Sequence, residues 1–338
     1  MACANCPRAR CVRSGLCFGE SVLDYEPINA CASRYYKVTF MTNIQADHDL
    51  YVGLSGLNLG DREIDFGHGI FLRPTYAHVF TTDILAFERP ATPHSYHPGP
   101  WQANSHKKGI DISAQLVIPR QYKRHKTKPL VVAETIVTIL RIWTDPEISI
   151  QLITDAPIPD LKHRQYIGPT EAPVAMLVAG RDRHIRIGLE SREKIIDSID
   201  WVVKHWEDAF DLRMTSSEFD FALETFDKAQ LIPNSAMMLV SLWGALEAVF
   251  AQSKTELRFR ISAQIAAFLA PRGQARLDKQ RDVMRLYDKR SAAAHGNPKH
   301  GPDELIQTFE LLRRTIIRMI EHKSVPSKSQ LEELIFCG

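Results

Sequence analysis

Hydrophobic positions follow different periods in the two halves of this chain. Up to about residue 188 they alternate with polar positions, most clearly over residues 147–153 (EISIQLI), and a period of two predicts half-buried β-strands. Further strands are predicted where Val, Ile, Thr and aromatic residues cluster, at residues 35–40, 76–80, 110–112, 130–143 and 184–187. Gly and Pro separate these segments at short intervals. The pattern predicts an antiparallel sandwich or barrel over residues 33–188.

After Gly188 the hydrophobic period becomes that of an α-helix. One apolar stripe comprises Ile195, Ile196, Ile199, Val202, Val203 and Trp206. Four more helices are predicted over residues 234–250, 256–269, 276–295 and 303–322, with Gly273 and Gly296 among the residues that end two of them. Five helices with short links predict an up-and-down bundle over residues 189–338. The expected fold class is therefore α+β, with a β-rich domain before an all-α domain.

Composition places this 338-residue chain among globular proteins, since 44% of its residues are hydrophobic and 24% are charged. No run of 18 apolar residues occurs, which predicts that the protein has no membrane span. The arginines near the N-terminus are not followed by an apolar segment, so a secretory signal is not expected. We expect a cytoplasmic protein without disulfides.

Two groups of potential metal ligands occur in the first third of the chain. Residues 1–32 form a cysteine-rich segment whose four clustered thiols are Cys3, Cys6, Cys11 and Cys17. Four thiolates suit one structural zinc ion, but the spacing is unusual, and Cys31 is an alternative fourth ligand. An iron–sulfur cluster or free cysteines remain alternatives to zinc. The segment 90–109 contains His94, His97 and His106 without a carboxylate or cysteine partner. Exposed loop histidines are the expected interpretation of that group.

The strongest candidate for chemistry is the string RSAAAHG, in which Arg290 precedes His295 by five residues. The same offset occurs at Arg73/His78, Arg89/His94 and Arg120/His125, so the spacing alone is not specific. The surroundings distinguish the last copy. Residues 254–290 carry ten Lys and Arg against four Asp and Glu, whereas residues 190–253 carry five against twelve. Positive charge therefore collects where a polyanion would be bound, although a solvated helix face is the alternative.

The pair Arg290 and His295 suits cleavage of a phosphodiester. An imidazole can act as base or acid near neutral pH, and a guanidinium can hold phosphate oxygens through two N–H groups. On a straight helix the five-residue offset separates the side chains by about 140°, unless the helix loosens at Gly296. One pair offers one imidazole, so a symmetric dimer would supply the second group that acid–base cleavage uses.

Four other residues are candidates for supporting the Arg290–His295 pair. Ser291 lies on nearly the same helical face as His295, where it orients the ring, binds a phosphate or simply packs. Tyr287 is a base-stacking residue or a core aromatic, and Asp288 orients Arg290 or neutralises another charge. Glu247 is a lone carboxylate in an apolar helix and is expected to pair with an arginine, either structurally or to position Arg290. The candidate partners are Arg258, Arg260 and Arg290.

These residues together resemble a known family. The helix at residues 242–250, the arginines Arg258 and Arg260, and the string LYDKRSAAAHG at 286–296 are similar to the HEPN superfamily, in particular its Apea-like, anti-phage branch. The similarity covers residues 190–325. Residues 53–57 and 63–73 resemble β-rich domains that precede HEPN modules in bacterial proteins. That second likeness implies no activity; sensing a phage-derived trigger or restraining the nuclease is our expectation for the β-rich region.

The resemblance implies a metal-independent endoribonuclease, with no cofactor for catalysis and a composite site at a homodimer interface. Such an enzyme would act as a toxin in phage defence. It would cleave RNA, often tRNA, and leave 2′,3′-cyclic phosphate and 5′-hydroxyl ends. Carried over, Arg290 and His295 are the catalytic pair, and Ser291 stands where many members have Asn or Asp. The expected RNA contacts are Arg258, Arg260, Arg285 and Lys289. The alternatives are a non-catalytic HEPN module that binds nucleotide, RNA or a protein, and a target of nucleotide transfer onto Tyr287.

Overall fold

The computed structural model divides the chain into two compact units, residues 1–42 and 43–338. The structure describes residues 48–163, except for gaps at 81–82, 93–94, 96, 105–108, 123 and 126, together with 174–175, 195–250 and 257–337. All of these belong to the second unit. The cysteine-rich segment and the strands expected at 35–40 and 184–187 lie outside the described residues.

The described strands form one six-stranded sheet and a separate two-stranded ribbon. The strands of the sheet are β1 (Leu50–Ser55), β2 (Ile64–Asp65), β3 (Phe71–Val79), β6 (Ile110–Ile118), β7 (Ser149–Thr154) and β8 (Val174–Ala175); the ribbon pairs β4 (Asp83–Ala86) with β5 (Trp101–Asn104). The sheet has the order β2-β3-β6-β1-β7-β8, and each of its described pairings is antiparallel. The alternating segments at 76–80, 110–112 and 147–153 therefore coincide with parts of β3, β6 and β7.

The strand prediction for residues 130–143 is wrong, because Pro129–Trp143 forms an α-helix, α1. Pro129 occupies the first helical turn, where its missing N–H costs nothing. The hydroxyls of Thr135 and Thr138 donate to the carbonyls four residues earlier, at 2.8 Å each, so these polar groups are satisfied inside the helix. The helix packs against β1 and β6. Burial on nearly all sides overrides the β-preference of its Val, Ile and Thr residues.

Helix α1 also changes the architecture expected for the first half of the chain. In the part of the chain that the structure describes, the sheet is an open layer against a helix, rather than one half of a sandwich or a closed barrel. On its other side the sheet meets a 3₁₀ turn at Ile158–His163. A Cβ on Gly53 would lie 2.9 Å from Ile158 Cδ1, so the turn packs closely only because residue 53 is glycine.

The helical half contains the five expected helices and two that the periodicity did not reveal. The described helices are α2 (Ile195–Thr215), α3 (Ser217–Ala229), α4 (Ser235–Phe250), α5 (Leu257–Leu269), α6 (Gln274–Ala294), α7 (Pro302–His322) and α8 (Lys328–Phe336). The unpredicted helices α3 and α8 both begin at a serine N-cap, Ser216 and Ser327, whose hydroxyl accepts a backbone N–H. None of the helices in these described segments is long and apolar enough to cross a membrane.

A continuous hydrophobic core joins the sheet to the helices. Its fully buried members include Leu54 and Leu116 from the strands, Trp206 from α2, and Leu242 and Ile316 from α4 and α7. The Trp206 indole N–H donates to the carbonyl of Phe66, 3.0 Å away, in the loop between β2 and β3. The sheet, α1 and the helical bundle therefore stabilise one another. The boundary expected at residues 188/189 falls in an undescribed segment.

Candidate functional site

The candidate motif lies where α6 ends. Gly296 adopts φ +75°, and its N–H donates to the Ala293 carbonyl at 3.2 Å, while Asn297 N–H donates to the Ala292 carbonyl at 3.0 Å. These two bonds form a Schellman motif, which requires a left-handed residue just beyond the helix. The expectation that Gly296 ends the helix is confirmed. His295 is the C-cap residue, with φ −93°, and its side chain is exposed.

Arg290 points away from solvent toward α4, where Glu247 binds it. Arg290 Nη2 donates to Glu247 Oε2 at 2.9 Å, and the two side chains are only 23% and 19% exposed. Of the three arginines expected as partners for Glu247, the structure selects Arg290. A charge-assisted bond between two half-buried groups restrains the guanidinium more firmly than a surface ion pair would.

Burial raises the pKa values of two groups next to Arg290, Glu247 and Tyr287. Burial raises the pKa of the Glu247 carboxyl above its ordinary value, and the positive charge of Arg290 opposes that shift only in part. The pKa of Tyr287 is also raised, first by burial and then by the negative charge of Glu247. Among the described residues, Glu247 Oε1, Arg290 Nε and Trp243 Nε1 are buried without a hydrogen-bond partner. The Nε–H group of Arg290 can thus donate one more hydrogen bond.

Tyr287 lies beneath Arg290 in the hydrophobic core. Its side chain is 8% exposed, and the Trp243 ring meets it edge-on at 5.1 Å between ring centroids. The Arg290 guanidinium carbon lies 5.6 Å from the centre of the Tyr287 ring, within cation–π range. This burial favours the core interpretation of Tyr287 over base stacking. Trp243, one helical turn before Glu247 on α4, is a supporting residue that the sequence reasoning missed.

Asp288 pairs with Arg258 rather than with Arg290. Both guanidinium contacts, from Nε and from Nη2, have a length of 2.6 Å, and the two side chains are about half exposed. The hydrogen bonds to Asp288 raise the pKa of Arg258. This bidentate pair joins the first turn of α5 to the last third of α6. Arg260 follows on α5 and is also exposed.

Arg285 and Lys289 converge on Glu304 in the first turn of α7. Arg285 Nη1 and Lys289 Nζ each lie 3.6 Å from Glu304 Oε1, and Lys289 also donates to the Lys299 carbonyl at 2.7 Å. The Gly301 N–H, with a smaller contribution from Lys289, holds the pKa of Glu304 below its ordinary value. Glu304 was not among the predicted site residues, although acidic residues are common in a first helical turn.

In the described part of the chain, the ring of His295 forms no hydrogen bond or ion pair with the other predicted residues. Its backbone N–H donates to the Ser291 carbonyl at 3.2 Å, but within the described chain the His295 ring and the Ser291 hydroxyl form no hydrogen bond. Asp288, Ser291 and His295 lie three and four residues apart and so share one face of α6, whereas Arg290 points toward α4. Within one chain the site has two parts, a restrained arginine and an exposed imidazole.

The other Arg–His spacings occur in different settings. Arg73 binds Glu63 and His78 binds Asp111 at 2.6 Å each, from opposite ends of β3. His125 Nε2 lies 2.8 Å from Asp211 on α2. The histidines of these copies are thus held by carboxylates, whereas His295 is not, as far as the described residues show. His94 lies outside the described residues.

The potential metal ligands gain no support from the described part of the chain. The predicted zinc ligands Cys3, Cys6, Cys11 and Cys17 all lie outside it, as do His94 and His106. His97 Nδ1 lies 3.0 Å from the Glu88 carbonyl. Within the described ranges, no group of three or more His, Cys, Asp or Glu side chains is arranged to hold a metal ion.

Comparison with profiles of known protein families, with curated proteins and with solved structures gave no significant match. A functional interpretation therefore depends on the residues themselves. The relevant arrangement is Arg290 restrained by Glu247, with His295 exposed at the end of the same helix.

Proposed function

We propose that the protein is a metal-independent endoribonuclease of the HEPN type, which acts as a toxin in bacterial anti-phage defence and cleaves RNA such as tRNA. The observation that best supports this proposal is the arrangement at the C-terminal end of α6. There Glu247 orients Arg290, and the C-cap residue His295 is exposed to solvent. A restrained cation and an accessible imidazole are two of the groups that cleavage by the 2′-hydroxyl needs.

In this mechanism the 2′-oxygen of RNA attacks the adjacent phosphorus while the bond to the 5′-oxygen breaks. One group accepts the 2′-hydroxyl proton and another donates a proton to the leaving 5′-oxygen, which leaves a 2′,3′-cyclic phosphate and a 5′-hydroxyl. Arg290 stabilises the charge on the non-bridging oxygens, and His295 transfers one of the protons.

A homodimer would supply the groups that one chain lacks. Arg290 and His295 face different sides of α6, and one chain offers one motif imidazole. Two chains that meet through this part of α6 would place the His295 of each near the Arg290 of the other. The strand-rich half would then sense a phage-derived trigger or restrain the nuclease.

The decisive experiment incubates the full chain with tRNA in the presence of EDTA and analyses the fragment ends by mass spectrometry. Cyclic-phosphate ends are expected, and they should disappear with Arg290→Ala and with His295→Ala. Arg314→Ala, which removes an exposed cation of α7, is the matched control and should cleave normally. Cleavage that survives both motif variants, or that EDTA abolishes, would refute the proposal. A mixture of the two inactive variants should recover part of the activity if sites form across a dimer.

The second candidate is a non-catalytic HEPN module that binds nucleotide, RNA or a partner protein. It is favoured by the ion pairs of Arg258, Arg285, Lys289 and Arg290, because each guanidinium or ammonium already has a carboxylate neighbour. Under this alternative, RNA binds but is recovered intact, and its affinity falls with Arg290→Ala while His295→Ala has no effect.

A further inference from the structure

Phe259 is an aromatic side chain that the core does not use. It lies in the first turn of α5 with 61% of its surface exposed, whereas Ile261, Ile265 and Phe268 of the same helix are buried. Its neighbours in sequence are two exposed arginines, Arg258 and Arg260. Single exposed apolar residues are common on protein surfaces, so the argument depends on where Phe259 lies and which side chains surround it.

Hydrogen bonds place Phe259 at the motif end of α6. The Arg258–Asp288 pair and the bond of 3.3 Å from Gln280 to Ser262 show that α5 and α6 run antiparallel, since position 258 meets 288 and 262 meets 280. Asp288 precedes His295 by seven residues, about 10 Å along the helix at 1.5 Å per residue. Phe259 therefore lies at about the level of Asp288, near the end of α6 that carries Arg290 and His295.

Most of the charged side chains at the level of Phe259 are cations. Arg258 and Arg260 lie beside it in α5, and Lys289 and Arg290 follow Asp288 in α6; Arg258, Lys289 and Arg290 each have a carboxylate neighbour. The centres of protein interfaces are enriched in aromatic residues and arginine but depleted of lysine and aspartate, and Lys289 and Asp288 both lie at this level of α6. An aromatic ring with arginines on both sides instead has the composition of a surface that binds single-stranded nucleic acid, where rings stack on bases and cations follow the phosphates.

We propose that Phe259 stacks on an unpaired base of a single-stranded RNA segment, with Arg258 and Arg260 beside its backbone phosphates. The inference rests on the proposed function in naming RNA as the ligand. It adds that the substrate presents a single-stranded base next to the phosphate that reaches the motif. Every base has a π-face, so the contact selects strandedness rather than sequence.

The test compares Phe259 variants of the full chain in a His295→Ala background, which separates binding from cleavage. Fluorescence anisotropy measures Kd for a labelled single-stranded RNA oligonucleotide and for the same sequence as a duplex, at one fixed salt concentration. Phe259→Ala should raise the single-strand Kd roughly five- to a hundredfold and leave the duplex Kd unchanged, while Phe259→Trp should retain the affinity. Phe336→Ala, which removes a ring 73% exposed on α8, is the control for lost apolar surface and should not change either Kd.

An unchanged single-strand Kd for Phe259→Ala overturns the inference, as does an equal loss for duplex and single strand. If sedimentation shows that Phe259→Ala changes self-association while both Kd values stay the same, Phe259 is a protein contact and the inference is also wrong. The experiments can refute the nuclease proposal and the stacking proposal independently. A chain that does not cleave RNA, but loses single-strand affinity with Phe259→Ala, refutes the nuclease and supports the stacking residue.

Discussion

Glu247 Oε2 of α4 accepts a hydrogen bond from Arg290 Nη2 of α6 at 2.9 Å, in a place where both side chains are less than a quarter exposed. Glu247 also lies one turn after Trp243, whose ring meets Tyr287 edge-on. The carboxylate thus belongs both to the packing of two central helices and to the orientation of the candidate catalytic arginine. Its two roles can be separated by experiment.

Truncation of Glu247 should destabilise the fold. Glu247→Ala leaves the half-buried guanidinium of Arg290 without its partner, and we expect a loss of about 1–3 kcal/mol in the free energy of unfolding. Urea denaturation measures the change. Glu224→Ala is the matched control, since it removes a carboxylate that pairs with Lys228 on the surface of α3, and it should cost less than about 1 kcal/mol. Equal losses for the two variants would show that the Glu247–Arg290 pair contributes no more to stability than a surface ion pair.

The raised pKa of Glu247 predicts a particular dependence on pH. Because the folded protein holds this proton more tightly than the unfolded chain, the protonated group favours folding at low pH, and that advantage is lost as pH rises from about 4.5 through the raised pKa. Glu247→Gln cannot lose a proton. Its stability relative to the wild type should therefore increase as pH rises through this window, as measured by urea denaturation at each pH.

Glu304 should behave in the opposite way. Its pKa is lowered by the Gly301 N–H, so ionised Glu304 favours folding above its ordinary pKa, and this contribution is lost as pH falls through the lowered value. Relative to the wild type, Glu304→Gln should therefore lose stability as pH rises, the reverse of Glu247→Gln. The same trend in both variants would contradict the two pKa directions.

Substitution of Gly296 by alanine should destabilise the fold. At φ +75° a Cβ is strained, and Gly296→Ala should lower the free energy of unfolding by about 1 kcal/mol. Gly244→Ala is the contrasting control, because Gly244 lies inside α4 and a Cβ there would meet nothing within 4 Å. Alanine at 244 should raise stability by about 0.5–1 kcal/mol. Thermal denaturation distinguishes the two signs, and RNA cleavage should fall only with Gly296→Ala.

Asp288 should limit RNA affinity by occupying Arg258. Asp288→Asn removes the bidentate partner and leaves the guanidinium available to phosphate, so RNA should bind more tightly. Asp278→Asn makes the same change in net charge on α6, where Asp278 lies 3.8 Å from Arg281. Anisotropy with labelled RNA should show a larger gain for Asp288→Asn. Equal gains would mean that net charge, rather than release of Arg258, determines the affinity.

The sequence alone predicted those helices and strands whose hydrophobic period fits only one kind of secondary structure. The existence of β7 and the apolar stripe of α7 follow from local pattern, and Gly296 ends α6 through its own backbone conformation. The alternation predicted a half-buried β7, and that part is wrong, because Gln151 is buried too and bonds Ser55. The residues of the motif and the basic character of α5 and α6 were also evident without coordinates. These features depend on neighbours within a few residues, which is the range that sequence periodicity reports.

Tertiary structure decided what depends on contacts between distant segments. Residues 129–143 favour strand by composition, yet burial against both the sheet and the helices makes them a helix. Three arginines were open to Glu247, and only the packing of α4 on α6 selects Arg290. Asp288 likewise binds Arg258, thirty positions away, rather than its near neighbour. Local periodicity reports which face of an element is buried, whereas the choice of partner depends on how the elements pack.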